Sequence, residues 1–146
     1  MYHMQKMKMR NAKARAGLLV VLLLALVCLF ACGVKEEETK VKDLDYEIVE
    51  ETAIPEELKN TIAEKKSSDL KLTYETADAL YVVRGYGEKE TGGYSISVKE
   101  FYLSKNAVYC ATELIGPQKN ETASNSPSYP YIALKTEAQN KNVIFD

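Results

Sequence analysis

The sequence predicts a mainly β domain with one short α-helix, a small β sandwich or open barrel, placed behind an N-terminal lipoprotein signal and a tether. Three observations carry this. Short runs between residues 70 and 145 alternate apolar and polar positions with period two, the mark of half-buried strands. One segment alone repeats apolar residues at helical spacing. Residues 1–31 join a basic start to an apolar stretch, the pattern of an exported chain.

The export segment comes first. Lys6, Lys8, Arg10, Lys13 and Arg15 precede an apolar run over residues 16–31, interrupted only by Gly17. The run ends in Leu29-Phe30-Ala31-Cys32, which looks like a bacterial lipobox with Cys32 as the acylated first residue of the mature chain. The other reading is an uncleaved transmembrane anchor, for which sixteen residues are slightly short of the roughly 17–25 a bilayer needs. Residues 32–43 then form a charged tether carrying Glu36, Glu37, Glu38, Lys35, Lys40 and Lys42, with little to bury. As a flexible coil its eleven residues after Cys32 span about 20 Å. Residues 44–146 have the size of a single small domain. The predicted location is the outer side of a cell membrane, held by lipid on Cys32.

Charge narrows the partners. The chain has 19 Lys plus Arg against 21 Asp plus Glu. Five of the basic residues and none of the acidic ones lie in residues 1–31, which leaves 14 against 21, net −7. Nucleic-acid binding rests on neutralising phosphates with Lys and Arg, so this balance excludes it. It also argues against lying flat on an anionic leaflet, where basic clusters supply the attraction.

The elements follow in chain order. Leu44-Asp45-Tyr46-Glu47-Ile48-Val49 alternates and reads as a first strand. In residues 54–66, Ile54, Leu58 and Ile62 recur every four positions and make one narrow apolar stripe. Pro55 suits a helix start, Glu56 and Glu57 the positive end of the dipole, and Lys65 and Lys66 the negative end. This is the one helix, expected at an end or edge of the β core. Strands are predicted over residues 70–74, 79–84 and 93–103. In the last, Tyr94, Ile96 and Val98 share one parity and Phe101 and Leu103 the other, so a bulge or bend is expected near Lys99-Glu100. Residues 107–115, 129–135 and 143–145 complete six or seven strands. Pro130 cannot donate to a ladder and marks an edge or a strand start.

Chemistry-bearing residues are few. The single histidine, His3, lies in the signal, so the domain offers neither a Ser/His or Cys/His pair nor a metal-ligand cluster. Cys110 stands alone in the apolar run Ala107-Val108-Tyr109-Cys110-Ala111 and reads as a small buried side chain. Asn120-Glu121-Thr122 fits a glycan-acceptor pattern, a chance match in a chain with a bacterial signal. No cofactor, metal or catalytic set is predicted, and the chain is not expected to be an enzyme.

The candidate site is residues 85–96. Gly85, Gly87, Gly92 and Gly93 fall within nine residues between two strand-like runs, too many for a two-residue hairpin turn. They predict a longer shaped loop on a β scaffold, a usual place for binding residues. Gly87, Glu88, Thr91, Gly92, Gly93 and Tyr94, followed by an alternating strand, resemble the C-terminal domain family of PrcB, a lipoprotein subunit of bacterial surface protease complexes. Leu114-Ile115-Gly116-Pro117 and Ser128-Tyr129-Pro130-Tyr131 follow in the family's order, and Glu90 stands where the family usually has proline. The resemblance covers about residues 70–145. It implies a non-enzymatic accessory subunit that binds a secreted or surface protease and supports its maturation or stability. Gly87, Glu88, Glu90, Thr91, Gly92, Gly93, Tyr94, Tyr129, Pro130 and Tyr131 are then the candidate protein-binding residues. A second reading is a protease inhibitor, because Thr91-Gly92-Gly93-Tyr94 is loosely similar to the Thr-Thr-Gly loops of chagasin-like inhibitors. A third is an adhesion or envelope-sensing lipoprotein.

Overall fold

The computed structural model describes residues 39–118 and 124–146. The signal, Cys32, the first part of the tether and the Asn120-Glu121-Thr122 pattern lie outside the described residues. In chain order the elements are β1 (Lys40–Asp43), β2 (Glu47–Ile48), a 3-10 turn (Glu51–Ala53), α1 (Glu56–Lys65), β3 (Asp69–Glu75), β4 (Ala79–Tyr86), β5 (Ser95–Ser104), β6 (Ala107–Ile115), β7 (Tyr131–Glu137) and β8 (Asn142–Phe145). They form two four-stranded sheets, β1-β5-β6-β8 and β2-β7-β4-β3. All neighbours are antiparallel except β8, which runs parallel to β6. The architecture is a sandwich, not a closed barrel.

β4 explains the layering. Ala79 through Val83 are all buried, so this strand has apolar contacts on both faces. Ala79, Tyr81 and Val83 point to one side and cluster with Ile54, Leu58 and Ile62 of the helical segment, Leu70 and Ala133. Leu80 and Val82 point to the other and cluster with Leu44, Phe101, Val108, Cys110, Ile132 and Leu134 between the sheets. A strand buried on both faces reads as a continuous apolar run rather than an alternation, as 79–83 does. The sheet β2-β7-β4-β3 is therefore the middle layer of three, with α1 on its outer face.

That placement corrects the expected position of the helix at an end or edge. The stripe of Leu58 and Ile62 needs an apolar surface to cover, and one face of β4 supplies it. The start of the domain also moves. Lys40–Asp43, expected as the end of the tether, pairs with Asp43, Lys42 and Lys40 opposite Tyr102, Leu103 and Ser104 of β5. The predicted strand over residues 44–49 shrinks to Glu47–Ile48, because Leu44 turns inward to the inter-sheet core and Val49 to the helix side.

The expected bulge is present at Lys99. Val98 pairs with Thr112 and Glu100 with Ala111, leaving Lys99 as the extra residue. The consequence is apolar economy: Ile96 and Val98 before it and Phe101 and Leu103 after it all reach the same inter-sheet core. Without the bulge one pair would face solvent.

Cys110 lies in that core, 2% exposed, as a free thiol. Burial pushes its pKa from 9.0 up to about 11, with the Arg84 charge opposing. A raised folded value means the fold favours the protonated thiol. Its contribution to stability is complete below about pH 9 and is lost as pH rises towards about 11. The expected result is a steeper loss of stability over that window in the parent than in Cys110→Ala, measured by urea unfolding at fixed pH steps. Equal slopes would remove this linkage.

Candidate functional site

The loop of residues 87–94 leaves the middle sheet at the end of β4 and enters the outer sheet at β5, so it closes one pole of the sandwich. Two of its glycines have left-handed backbones, Gly87 at φ 71° and Gly93 at φ 83°. At Gly87 a side chain would also meet the Ser67 carbonyl oxygen at 3.2 Å, and its absence lets the Glu88 N–H donate to that oxygen at 3.1 Å. Gly92 lies against the second loop: its N–H donates to the Ser124 carbonyl at 2.9 Å, and a Cβ there would be 3.2 Å from Ser124 Cβ.

The second loop braces the first. Lys89 and Ser128 exchange both backbone hydrogen bonds, at 2.8 and 2.9 Å, and the Ser128 hydroxyl donates to the Thr91 carbonyl at 2.6 Å. The Tyr129 hydroxyl donates to the Glu88 carboxylate at 3.0 Å. That bond, with the carboxylate's charge, raises the Tyr129 pKa and keeps the phenol protonated. Lys66 Nζ lies 5.4 Å from the centre of the Tyr129 ring, a cation–π contact from the end of α1. The Pro130 carbonyl accepts the Tyr86 N–H at 3.0 Å. A side chain at Gly116 would touch Tyr94 at 3.7 Å. The three sequence segments 87–94, 114–117 and 128–131, scattered over 45 residues, thus meet at one pole.

The candidate residues are not equivalent within this arrangement. Glu88, Glu90 and Gly93 are exposed, and Thr91, Gly92, Tyr94 and Tyr129 are half-buried. Gly87 is buried and acts on the backbone path alone. Tyr131 packs against the helix-side core, and burial followed by the Glu51 charge raises its pKa, so it supports the site from below. Cys32 lies outside the described residues.

Beneath the loop sits a group of long-range contacts that local spacing does not reveal. The Arg84 guanidinium donates to the Asp69 carboxylate at 2.7 Å, to the Leu70 carbonyl at 3.3 Å and to the Gly85 carbonyl. It stacks 4.1 Å from the centre of the Tyr86 ring, whose hydroxyl shares a 2.7 Å hydrogen bond with Thr112 of β6. The base of the loop is tied in this way to β3 on one side and β6 on the other. Ser67, Ser124, Arg84 and Thr112 carry no signature in the sequence, since a serine in a polar loop looks the same with or without a partner.

Among the described residues no group of three His, Cys, Asp or Glu could hold a metal ion. The exposed part of the pole offers carboxylates, one lysine, amide groups and tyrosine rings, which suit hydrogen-bonded and aromatic contacts with another protein.

The fold and the site define a β-sandwich domain with a glycine-rich loop braced at one pole. Residues 80–137, from β4 through β7, match the family model described as PrcB C-terminal, a match that supports assignment to that family. No curated protein and no solved structure matches the chain.

Proposed function

We propose that the chain is a lipid-anchored, non-enzymatic accessory subunit that holds a secreted or surface protease through the pole built by residues 87–94 and 124–130. The observation that carries this reading is the joining of residues 87–94 and 124–130 into one hydrogen-bonded unit, with Gly116 beside Tyr94, in a domain that matches the family model described as PrcB C-terminal. The start of β1 and the glycine loop lie at opposite ends of β5. Lys40 pairs with Ser104 at the far end of β5, whereas the loop joins β5 at Ser95. Ten extended residues separate the two ends by about 30 Å. In this reading the chain is acylated at Cys32, eight positions before Lys40, and the segment leading into β1 is the attachment, which leaves the loop open to a soluble protease.

A braced loop is also what an inhibitor inserts into a protease cleft, and one experiment separates the two readings. Tagged full-length chain is pulled down from its native cell surface, and the proteolytic activity of the captured material is titrated with further chain. Recovery of a protease whose activity is preserved or raised supports the accessory subunit. A stoichiometric fall in activity supports the inhibitor, and recovery of no protease overturns both. In the same preparation Cys32→Ala is expected to abolish acyl labelling and leave an uncleaved precursor; persistent labelling would place the lipid elsewhere.

A further inference from the structure

β3 is the edge of the middle sheet, and among the described residues its seven residues are paired on one side only, with β4. It is the longest of the four edge strands: β1 and β8 have four residues each and β2 has two. A cleft runs beside it, lined by Glu64 and Lys65 at the end of α1 and by Ser68, Asp69, Lys71 and Leu72 of β3 and its approach. Asp69 lies opposite Tyr86, and the Ser67 carbonyl holds the Glu88 N–H, so the cleft opens at the same pole as the glycine loop and continues from it.

We infer that the free edge of β3 receives an extended, acidic segment of the partner protease as a fifth strand of the middle sheet. This rests on the accessory-subunit reading and names how the partner is gripped. An exposed edge offers a row of main-chain donors and acceptors to any extended chain, and proteins commonly blunt such edges with lysine. Lys71, exposed near the middle of β3, does this here. The same lysine selects. Asp69 is occupied by Arg84, which leaves Lys65 and Lys71 against the single carboxylate of Glu64 along the cleft. In a chain with an excess of acidic groups this is a local surplus of positive charge. An incoming strand with a carboxylate opposite Lys71 forms a cross-strand pair, and one with a lysine there is repelled.

The test uses full-length chain and two blocked synthetic pentapeptides, Thr-Val-Glu-Val-Thr and the same sequence with lysine in place of glutamate. Amide hydrogen exchange is followed by NMR at millimolar peptide. The expected result is new protection confined to amides of residues 69–75. The glutamate peptide should bind about threefold more tightly than the lysine peptide, the size of one surface charge pair. Lys71→Glu should reverse that order. Absence of protection on β3, protection on another edge, or an unchanged order in Lys71→Glu overturns the inference. Gly93→Val, which alters the loop and not the edge, should bind the peptide normally. Protease capture that persists without peptide binding to β3 sinks the edge inference alone. Peptide binding without capture sinks the accessory reading alone.

Discussion

Gly93→Val is expected to weaken capture of the surface protease at least tenfold while the sandwich stays folded. Gly93 has φ 83°, a left-handed backbone that costs an ordinary residue about 1–2 kcal/mol and a β-branched one more. A tenfold loss needs about 1.4 kcal/mol, so the strain alone suffices if the bound loop must keep its native path. The loop has few ways to relax around the new side chain. On its N-terminal side Gly92 is hydrogen-bonded to Ser124, and Thr91 to Ser128; on its C-terminal side Tyr94 lies against Gly116. A valine therefore either pulls Gly92 off the second loop or turns Tyr94 away. The fold should survive, because neither core cluster contains a residue of 87–94. Titrated pull-down and a thermal melt, run together, check both halves. Tyr94→Ala should give a similar binding loss without backbone strain. Full capture by both variants would remove this loop from the contact surface.

Much of the β core was legible because its signals are local. Residues 107–115 were expected as a strand and form β6 unchanged, and the parity switch in residues 94–103 marks the bulge at Lys99. Both follow from alternation, which a single strand displays by itself. The helix was legible for the same reason, from Leu58 and Ile62. Its partner surface was not, since continuous burial in β4 has no periodicity that says which of two faces meets a helix. β1 was hidden more deeply. Lys40-Val41-Lys42-Asp43 is exposed throughout and is held by its ladder to β5, a contact some sixty residues distant that its own polar composition does not announce.

The candidate site divides in the same way. The glycines, Tyr94 and the 128–131 segment stood out by residue type and order. The bracing did not, because Ser124 to Gly92 and Ser67 to Glu88 are main-chain bonds, indifferent to side-chain identity. Arg84 was read only as the end of an apolar strand. Its pairing with Asp69 depends on the β3–β4 register, with Asp69 opposite Tyr86 and Lys71 opposite Arg84. Register is a property of two strands and cannot be taken from either alone.

Leu134→Ala should lower stability by about 2–5 kcal/mol, the range for removing a buried leucine from a core that relaxes incompletely. Leu134 is 1% exposed and sits in β7, opposite Val82 of β4 and Ile48 of β2, with its side chain in the inter-sheet core. For a domain of this size each kcal/mol moves the melting temperature by about 4–8 °C, so a fall of about 8–40 °C is expected. Ile48→Ala, at a neighbouring position that is 58% exposed, should stay within about 0.5 kcal/mol of the parent. The contrast tests the three-layer arrangement as well as the burial. β7 contributes Leu134 to one core and Ala133 to the other, and Pro130 and Tyr131 at its start hold the base of the glycine loop. Loosening β7 should therefore raise hydrogen exchange in α1, in β6 and at Tyr86 together, although α1 and β6 lie on opposite sides of the middle sheet. If exchange rises in β6 while α1 keeps its protection, the two cores are energetically separate and the middle sheet does not couple them.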